Sequence, residues 1–375
     1  MTPEHLRSKI EDLLALADIR IGGDRPWDIQ VYNNRFYKKV LYGGSLALGE
    51  TYMDGWWDCQ CLDDFFYHIL RARLDKKVRP VIYCLYGLRT KFLNLQKASR
   101  AYHIGRHHYD IGNNLYRCML DKNMIYSCGY WNKADSLDQA QINKLELTCQ
   151  KLNLSPGMRV LDIGCGWGGT AKYIAEHHKV TVVGITVSRQ QAEFAKELCK
   201  GLPVEIHLQD YRTLQGTFDR ILSIGMFEHV GYKNYASFMK ITKRLLKPNG
   251  IFLLHTIGGE SSAAVNDPWI DRYIFPNYML PSAKRICTAI EDVFVLEDWH
   301  CFGADYDKTL MAWFKNFHDH WDILKKDYND QFYRMWKYYL LSCAASFRAR
   351  RNNVWQIVLS PEGIEGGYRA PQRGI

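Results

Sequence analysis

The chain has 375 residues, which is comfortable for two domains, and 47% of them are apolar, which excludes an intrinsically disordered protein. The net charge of +9 favours an anionic partner such as a nucleic acid, an anionic lipid or a phosphorylated substrate. No apolar run approaches the about 18 residues of a membrane span, and the first residues lack the pattern of a secretory signal. The 11 scattered cysteines fit free thiols in a reducing cytoplasm. Cys59 and Cys61 are spaced too tightly for a zinc site, so no metal site is predicted.

Helices are predicted for the N-terminal part of the chain. Thr2 has the pattern of an N-cap that opens an amphipathic helix, and glycine-containing breaks at 43–44 and 54–57 interrupt the helices that follow. The segment 71–108 then carries ten basic residues against one acid, with aromatic and aliphatic residues between them. The predicted domains are a helical domain over 1–85, a basic linker over 86–107 and a catalytic domain over 108–375.

From about residue 158, short apolar strands alternate with helices. Such alternation is typical of a parallel sheet that is covered by helices on both faces. In sheets of this doubly wound α/β class, ligands bind at the carboxyl ends of the strands. The seven predicted strands are 159–163, 180–186, 204–210, 220–225, 250–257, 294–299 and 354–359.

A glycine-rich turn follows the first of these strands. Glycines at a strand-to-helix turn let a ligand approach the backbone where a side chain would obstruct it. The spacing G-x-G-x-G-G differs from a dinucleotide loop, and the preceding Asp162 suits the amino group of a methionine-like ligand better than a pyrophosphate. We therefore predict a seven-stranded, Rossmann-like domain that uses S-adenosylmethionine (SAM). The predicted SAM ligands here are Asp162, Gly164, Cys165, Gly166, Trp167, Gly168 and Gly169.

Two further strand ends are expected to contact SAM. The second strand lacks the acid that often binds the ribose hydroxyls, so hydroxyl and amide side chains would have to serve instead. The residues after the third strand could bind the edge and face of the adenine, although Asp210 could instead only cap the end of the strand. The predicted ligands are Thr186, Ser188 and Gln191 after the second strand, and Gln209, Asp210 and Tyr211 after the third.

Five further segments stand out: HYDIGN at 108–113, YSCGYW at 126–131, GMFEHVG at 225–231, HTIG at 255–258 and GADY at 303–306. Together with the glycine turn, this ordered set resembles the cyclopropane-fatty-acyl-phospholipid synthase family, which includes the mycolic acid cyclopropane synthases. The resemblance covers nearly the whole chain. The segment 48–57 is similar to a segment of the bacterial phospholipid branch of the family, and the mycolic enzymes lack this segment. The resemblance also adds Tyr126 and Ser127 to the SAM site.

The resemblance implies a reaction in which the methyl group of SAM moves onto a cis double bond of a phospholipid acyl chain and a cyclopropane ring closes. An isolated alkene has no proton to give up beforehand, so methyl transfer leaves a carbocation and the base is needed only afterwards. This chemistry requires a dry apolar tunnel, aromatic faces near the cation and a base that is not easily alkylated.

The resemblance also implies that a bound bicarbonate ion is the base. Glu228 beside an anion makes sense only if the two share a proton. Structural alternatives exist for three of the implied ligands: Glu228 could cap a helix, His255 could be a core residue and Cys128 could be a buried thiol. Cys343 matches a cysteine proposed as the family nucleophile, but the mechanism requires no covalent thiol, so a packing role is favoured. The implied bicarbonate ligands are Cys128, Glu228, His255, Ile257 through its backbone, and Tyr306.

The implied substrate lies in a bilayer, so a cytoplasmic enzyme would dock peripherally on the inner face of the membrane. The basic segment 71–108 suits anionic headgroups, each base adding about 1 kcal/mol, although a solvated linker face is the alternative. Trp56, Trp57, Phe65 and Phe66 either insert into the interface or pack in the core of the small domain.

Other functions are weighed against this one. A SAM-dependent N-methyltransferase of a phospholipid or small amine would use nearly the same fold. Methylation of an amine needs only a simple base, so this alternative does not explain the implied set of bicarbonate ligands. Simple methyl branching without ring closure differs only in the fate of the cation. No nucleic-acid partner is expected, because the chain lacks a zinc motif, an RRM signature and a regularly spaced basic helix. The sequence leaves a homodimer open.

Overall fold

The computed structural model describes residues 2–77, 112–262 and 266–373. The chain forms two compact units, neither of which is continuous in sequence. The first contains Met1–Leu93, Ala263–Pro276 and Asp307–Asn352, and the second contains Asn94–Ser262, Asn277–Tyr306 and Asn353–Ile375. The predicted boundaries at 85 and 107 lie outside the described residues, and the predicted three-part division stays a prediction. The prediction treated 108–375 as one continuous domain, because the periodicity of strands and helices does not show which helices pack together.

The described residues form helices and strands that we number in chain order. The helices are α1 (Pro3–Ala15), α2 (Arg35–Met53), α3 (Leu62–Arg71), α4 (Leu74–Lys77), α5 (Asn113–Met119), α6 (Leu137–Leu152), α7 (Gly169–His178), α8 (Arg189–Leu198), α9 (Tyr235–Leu245), α10 (Pro268–Tyr273), α11 (Ala283–Ile290), α12 (Ala304–Asp319), α13 (Trp321–Leu324) and α14 (Asp330–Arg348). The strands are β1 (Ile29–Val31), β2 (Trp57–Cys59), β3 (Arg159–Ile163), β4 (Thr181–Thr186), β5 (Val204–Leu208), β6 (Phe218–Ile224), β7 (Leu246–Gly259), β8 (Val295–Cys301) and β9 (Asn352–Ser360).

The first unit begins as the sequence predicts. The Thr2 side chain caps α1 by accepting a hydrogen bond from the His5 N–H, and Gly44, with φ of 57°, kinks α2 at the predicted glycine break. The expectation of helices alone was incomplete, because β1 and β2 pair as a small antiparallel sheet. Strands of three residues are too short to show a periodic pattern in the sequence.

Aromatic side chains make the core of this unit. Trp57 and Phe65 have no exposed surface, Phe66 is 7% exposed, and the Trp57 and Phe65 rings lie 5.1 Å apart. Trp56 is half-buried, with the Lys39 ammonium 5.0 Å from its ring centre. Burial of Trp57, Phe65 and Phe66 supports the packing alternative rather than insertion into a membrane.

The second unit is built on a seven-stranded sheet in the order β5-β4-β3-β6-β7-β9-β8. The pairs β3–β4, β4–β5, β3–β6 and β6–β7 are parallel, while β8 is antiparallel to β9. Side chains alternate between the faces, so Leu161 and Ile163 join one core cluster and Val160 joins the other. The predicted α/β fold is confirmed.

The connection between strands positions the site. The chain runs outward from β3 to β4 and β5 and then returns to β6 on the other side of β3. A reversal of this kind opens a crevice at the carboxyl ends of the strands. β5 ends at Leu208, short of the predicted 210, because Asp210 caps the next turn by accepting a hydrogen bond from the Arg212 N–H at 2.9 Å.

Candidate active site

A cavity of about 190 Å³ lies in the second unit at the carboxyl ends of β3, β4 and β6. Because parallel strands end at the same edge of a sheet, segments far apart in sequence converge here. Every predicted SAM ligand lines the cavity except Gly168. The lining residues fall within 124–127, 162–170, 185–191, 209–212 and 224–230.

The glycine turn brings the backbone close to the cavity. The N–H groups of Gly164 and Cys165 donate to the carbonyl oxygen of Ile185 at 2.9 and 3.0 Å, which fixes the turn against β4. A Cβ atom on Gly169 would lie 1.8 Å from the carbonyl oxygen of Asn123. Glycine is therefore required where the turn meets the 124–127 segment.

Asp162 lines the cavity and has a buried carboxyl oxygen without a hydrogen-bond partner. The residue is 2% exposed, and the oxygen without a partner is Oδ2. Burial raises the pKa of the Asp162 carboxyl to about 7, and the nearby Lys144 ammonium opposes that rise. A buried acceptor without a partner is costly, so the site suits a ligand that brings a cationic donor.

The end of β4 carries a hydrogen-bonded set of neutral side chains. The Thr186 hydroxyl donates to Gln191 Oε1 at 2.9 Å and accepts from the Ser188 N–H at 3.2 Å. Ser188 caps α8 by accepting from the Gln191 N–H at 3.3 Å. Hydroxyl and amide groups thus occupy the strand end where related folds often have an acid that binds the ribose hydroxyls, as the sequence indicates.

Asp210 caps the turn after its strand, as the alternative for it predicts, and its role as an adenine ligand stays a prediction. It lines the cavity, and it also caps the turn after β5 and forms an ion pair with Arg212 at 2.7 Å. The neighbouring Tyr211 is 8% exposed and belongs to a core cluster, so one side of its ring packs while part of the residue faces the cavity.

The 124–127 segment is held from behind by α6. The carbonyl oxygen of Ser127 accepts a hydrogen bond from Gln141 Nε2 at 2.8 Å, and its hydroxyl accepts one from Lys144 Nζ at 3.1 Å. Asp121 accepts from the N–H groups of Asn123 and Ile125, both at 2.9 Å. Gln141 and Lys144 were not predicted to belong to the site, because polar residues three apart on a helix resemble a solvated face.

Other lining residues were also missed, among them Met226, His229 and Arg212. His229 lies in the GMFEHVG segment, which could have pointed to it. Burial lowers the pKa of the His229 imidazole to about 4, so the ring is neutral at physiological pH.

A second polar group lies at the ends of β6 and β7. The backbone N–H of Ile257 donates to Glu228 Oε1 at 2.6 Å, while Glu228 Oε2 has no partner. Burial raises the pKa of the Glu228 carboxyl to about 7, against the lowering effect of the Ile257 hydrogen bond. This carboxyl can therefore hold or release a proton near neutral pH.

His255 lies on β7, beside the cavity-lining end of β6. Its carbonyl oxygen accepts from the N–H of Gly225, which lines the cavity, and its ring lies 3.3 Å from Gln356 Nε2. Burial holds the pKa of the imidazole well below its usual range, so His255 is neutral. Gln356, which lies on β9, also donates to Thr148 Oγ1 at 3.2 Å and so connects β9 to α6.

The remaining predicted catalytic residues are less closely connected. Cys128 has no exposed surface, and its thiol donates to the carbonyl oxygen of Gly129 at 3.1 Å. Tyr306 is half-buried at the start of α12, and Cys343 lies on α14 in the first unit. The structure describes all six predicted catalytic residues, and none of them lines the cavity. Among these six residues, Glu228 is hydrogen-bonded to the backbone of Ile257.

Comparison with known proteins identifies the family. A family model described as mycolic acid cyclopropane synthetase matches residues 96–357. The chain is 52% identical over 359 residues to cyclopropane-fatty-acyl-phospholipid synthase of Escherichia coli strain K12, covering 96% of this chain and 94% of the relative.

Solved structures agree with that assignment. The cyclopropane synthase MmaA2 from Mycobacterium tuberculosis has a TM-score of 0.66 and 30% identity, covering 72% of this chain and all of that one. Mycolic acid cyclopropane synthase CmaA1 complexed with SAH and CTAB has a TM-score of 0.65 and 31% identity, covering 69% and 98%. The chain therefore belongs to the mycolic acid cyclopropane synthetase family and is a SAM-dependent methyltransferase.

Proposed function

We propose that this protein transfers the methyl group of SAM to a cis double bond of an unsaturated phospholipid acyl chain and closes a cyclopropane ring. The relative that is 52% identical is named cyclopropane-fatty-acyl-phospholipid synthase, and the match extends over 96% of this chain. The observation that carries the proposal is Glu228, a buried carboxyl that can exchange a proton at the edge of the SAM cavity.

In the proposed reaction an alkene carbon attacks the methyl carbon of the sulfonium as the carbon–sulfur bond breaks. S-adenosylhomocysteine leaves, and the other alkene carbon becomes a cation. Loss of a proton from the new methyl group then supplies the electron pair that closes the ring. The enzyme must therefore exclude water from the cation and accept a proton only after methyl transfer.

The cavity suits SAM as the donor. The glycine turn allows close approach of a ligand, and Asp162, whose Oδ2 atom has no partner, suits the ammonium group of the methionine part. The β5 end, with Asp210 and Tyr211, is the proposed adenine site. The neutral set around Thr186 and Gln191 would share its hydrogen bonds with the ribose hydroxyls.

A small oxyanion such as bicarbonate is the proposed base, and its proposed site is beside Glu228. Bicarbonate held there would accept the proton that the methyl group loses. Protonated Glu228 can donate a hydrogen bond to the anion through its Oε2, which has no other partner. The His255 ring is neutral and would keep its remaining N–H proton beside the anion. The Ile257 N–H is already bonded to Glu228, so it would orient the carboxyl rather than the anion. Cys128 and Tyr306 complete the proposed set.

We also propose that the protein docks peripherally on an anionic membrane. No helix within the described ranges is long and apolar enough to cross a bilayer. Most of the basic segment 71–108 lies outside those ranges, but Arg71, Arg73 and Lys77 are exposed at its start. Cationic side chains near a surface favour anionic lipid and lose that preference as salt rises. The acyl tunnel stays a prediction.

The test is incubation with SAM and vesicles of a cis-unsaturated phospholipid, followed by mass analysis of the released fatty acids. A gain of one CH2 together with loss of the double bond supports the proposal. Vesicles of the saturated phospholipid with the same headgroup are the control. Methylation of the headgroup with the double bond intact would instead support the N-methyltransferase alternative and overturn the proposed function.

A further inference from the structure

Helix α6 buries a polar stripe. Gln141, Lys144, Thr148 and Lys151 share one face of the helix, and all four have no exposed surface. The face that a helix turns to the core is normally apolar, and a buried lysine is costly unless it is paired. Two such lysines on one helix therefore require a reason.

The two lysines have different surroundings. Lys151 faces Asp298 of β8, with 3.4 Å between Nζ and Oδ2. Lys144 donates to the hydroxyl of Ser127, which lines the SAM cavity, and interacts electrostatically with Asp121 and Asp162. Lys144 is thus the buried cation behind the cavity wall.

Lys144 remains a cation near neutral pH. Burial lowers the pKa of its ammonium to about 8, and the carboxylates of Asp121 and Asp162 oppose that change. The Cys128 thiol also faces it. Asp121 is satisfied by two backbone N–H groups, whereas Asp162 Oδ2 has no partner. Asp162 is therefore the carboxylate whose ionisation depends most on the lysine.

The charges around the cavity match a cationic ligand. Lys144 with Asp121 and Asp162 sums to −1 when all three are ionised. Other charged groups in the wall cancel, because Asp210 pairs with Arg212 and His229 is neutral, and burial keeps the Cys165 thiol protonated through its raised pKa. SAM carries a sulfonium, an ammonium and a carboxylate, a net charge of +1.

We propose that Lys144 is a positioning residue that favours the ionised form of the Asp162 carboxyl and holds Ser127 in the cavity wall, so that the site is set for the ammonium group of SAM. The inference rests on the proposed placement of SAM. Loss of the lysine charge leaves Asp162 protonated at neutral pH, since Lys144 is the one group among the described residues that offsets burial. A protonated Asp162 cannot form an ion pair with the ligand.

The test is the Kd of SAM for Lys144→Met and Lys144→Gln, measured by calorimetry from pH 6 to 9. We expect binding at pH 7 to weaken at least about tenfold, with recovery toward wild type by about one decade per pH unit as pH rises. Glutamine keeps a donor for Ser127 but removes the charge, so it tests the same point with less disruption. Thermal melts establish that each variant is folded.

Two controls separate this role from a structural one. 5′-Methylthioadenosine lacks the ammonium group, so its Kd should change less than about twofold in either variant. Lys151→Met removes the other buried lysine of α6 and should leave the pH profile of SAM binding in place.

Equal weakening at every pH, or equal weakening for 5′-methylthioadenosine, would show that Lys144 only supports the fold and would overturn the inference. A wild-type protein that fails to bind SAM at all would instead overturn the proposed function. The two failures are therefore distinguishable.

Discussion

Replacement of Glu228 by glutamine tests the proposed proton-handling centre. Glu228 is 5% exposed, and its Oε1 accepts the Ile257 N–H at 2.6 Å. The amide oxygen of glutamine can keep that bond and the side-chain volume, so Glu228→Gln should fold. What it loses is a carboxyl whose pKa is about 7.

The magnitude follows from the role. A positioned group that shares a proton in the reaction typically contributes about 10² to 10⁴ in rate, which corresponds to about 3–5 kcal/mol of barrier. We therefore expect turnover to fall by about two to four decades. Glu228 does not line the cavity, so the Kd of SAM should stay within about threefold.

The pH dependence supplies an independent signature. Because burial raises the pKa of Glu228 to about 7, the protonated form predominates below that pH and is lost above it. Turnover that needs the protonated form should fall about tenfold per pH unit above pH 7 in the wild type. An amide does not titrate, so this limb should vanish in Glu228→Gln.

The assay follows cyclopropane formation in unsaturated vesicles, with SAM binding measured separately by calorimetry. Glu146→Gln is a matched control, because Glu146 contacts Tyr173 and Gln150 away from the cavity. Turnover of Glu228→Gln within about fivefold of wild type would refute the assignment, since a proton-sharing role requires a larger loss. So would loss of SAM binding together with turnover, which would indicate a damaged cavity.

Three further predictions concern the turn, a cysteine and the membrane. Gly169→Ala should lower the free energy of unfolding by about 1–3 kcal/mol and weaken SAM binding, because its Cβ would meet the Asn123 carbonyl oxygen. Gly166→Ala has open space around its Cβ and should lower the free energy of unfolding by about 1 kcal/mol. Thermal melts measure the stability of both variants, and calorimetry measures their SAM binding. Burial raises the pKa of Cys343 to about 12, so the thiol is no nucleophile at neutral pH and Cys343→Ala should keep turnover within about threefold. A loss of several decades would revive a covalent role. Sedimentation should retain the protein on anionic vesicles and release it as salt rises, and binding that ignores salt would reject the electrostatic docking proposal.

The site was predictable to different degrees. Cavity-lining residues that follow a strand in a motif, such as Asp162 and the glycines other than Gly168, were predictable because strand and turn are adjacent in sequence. The grouping of Glu228 with Ile257 came from the resemblance, since nothing in their spacing of 29 residues shows that β6 and β7 bring them together. The roles of Cys128, Tyr306 and Cys343 stay predictions.

Local pattern alone determined the alternation of strands and helices, the cap of α1 and the glycine turn after β3, because propensity, periodicity and turn chemistry act over a few residues. Tertiary structure alone decided which polar groups are buried. The sequence of α6 looks like an ordinary solvated helix, yet packing against the sheet gives Lys144 and Lys151 no exposed surface. Burial changes the free energy of a charge far more than sequence neighbours do, so the protonation of Lys144, Asp162 and Glu228 is a property of the folded chain.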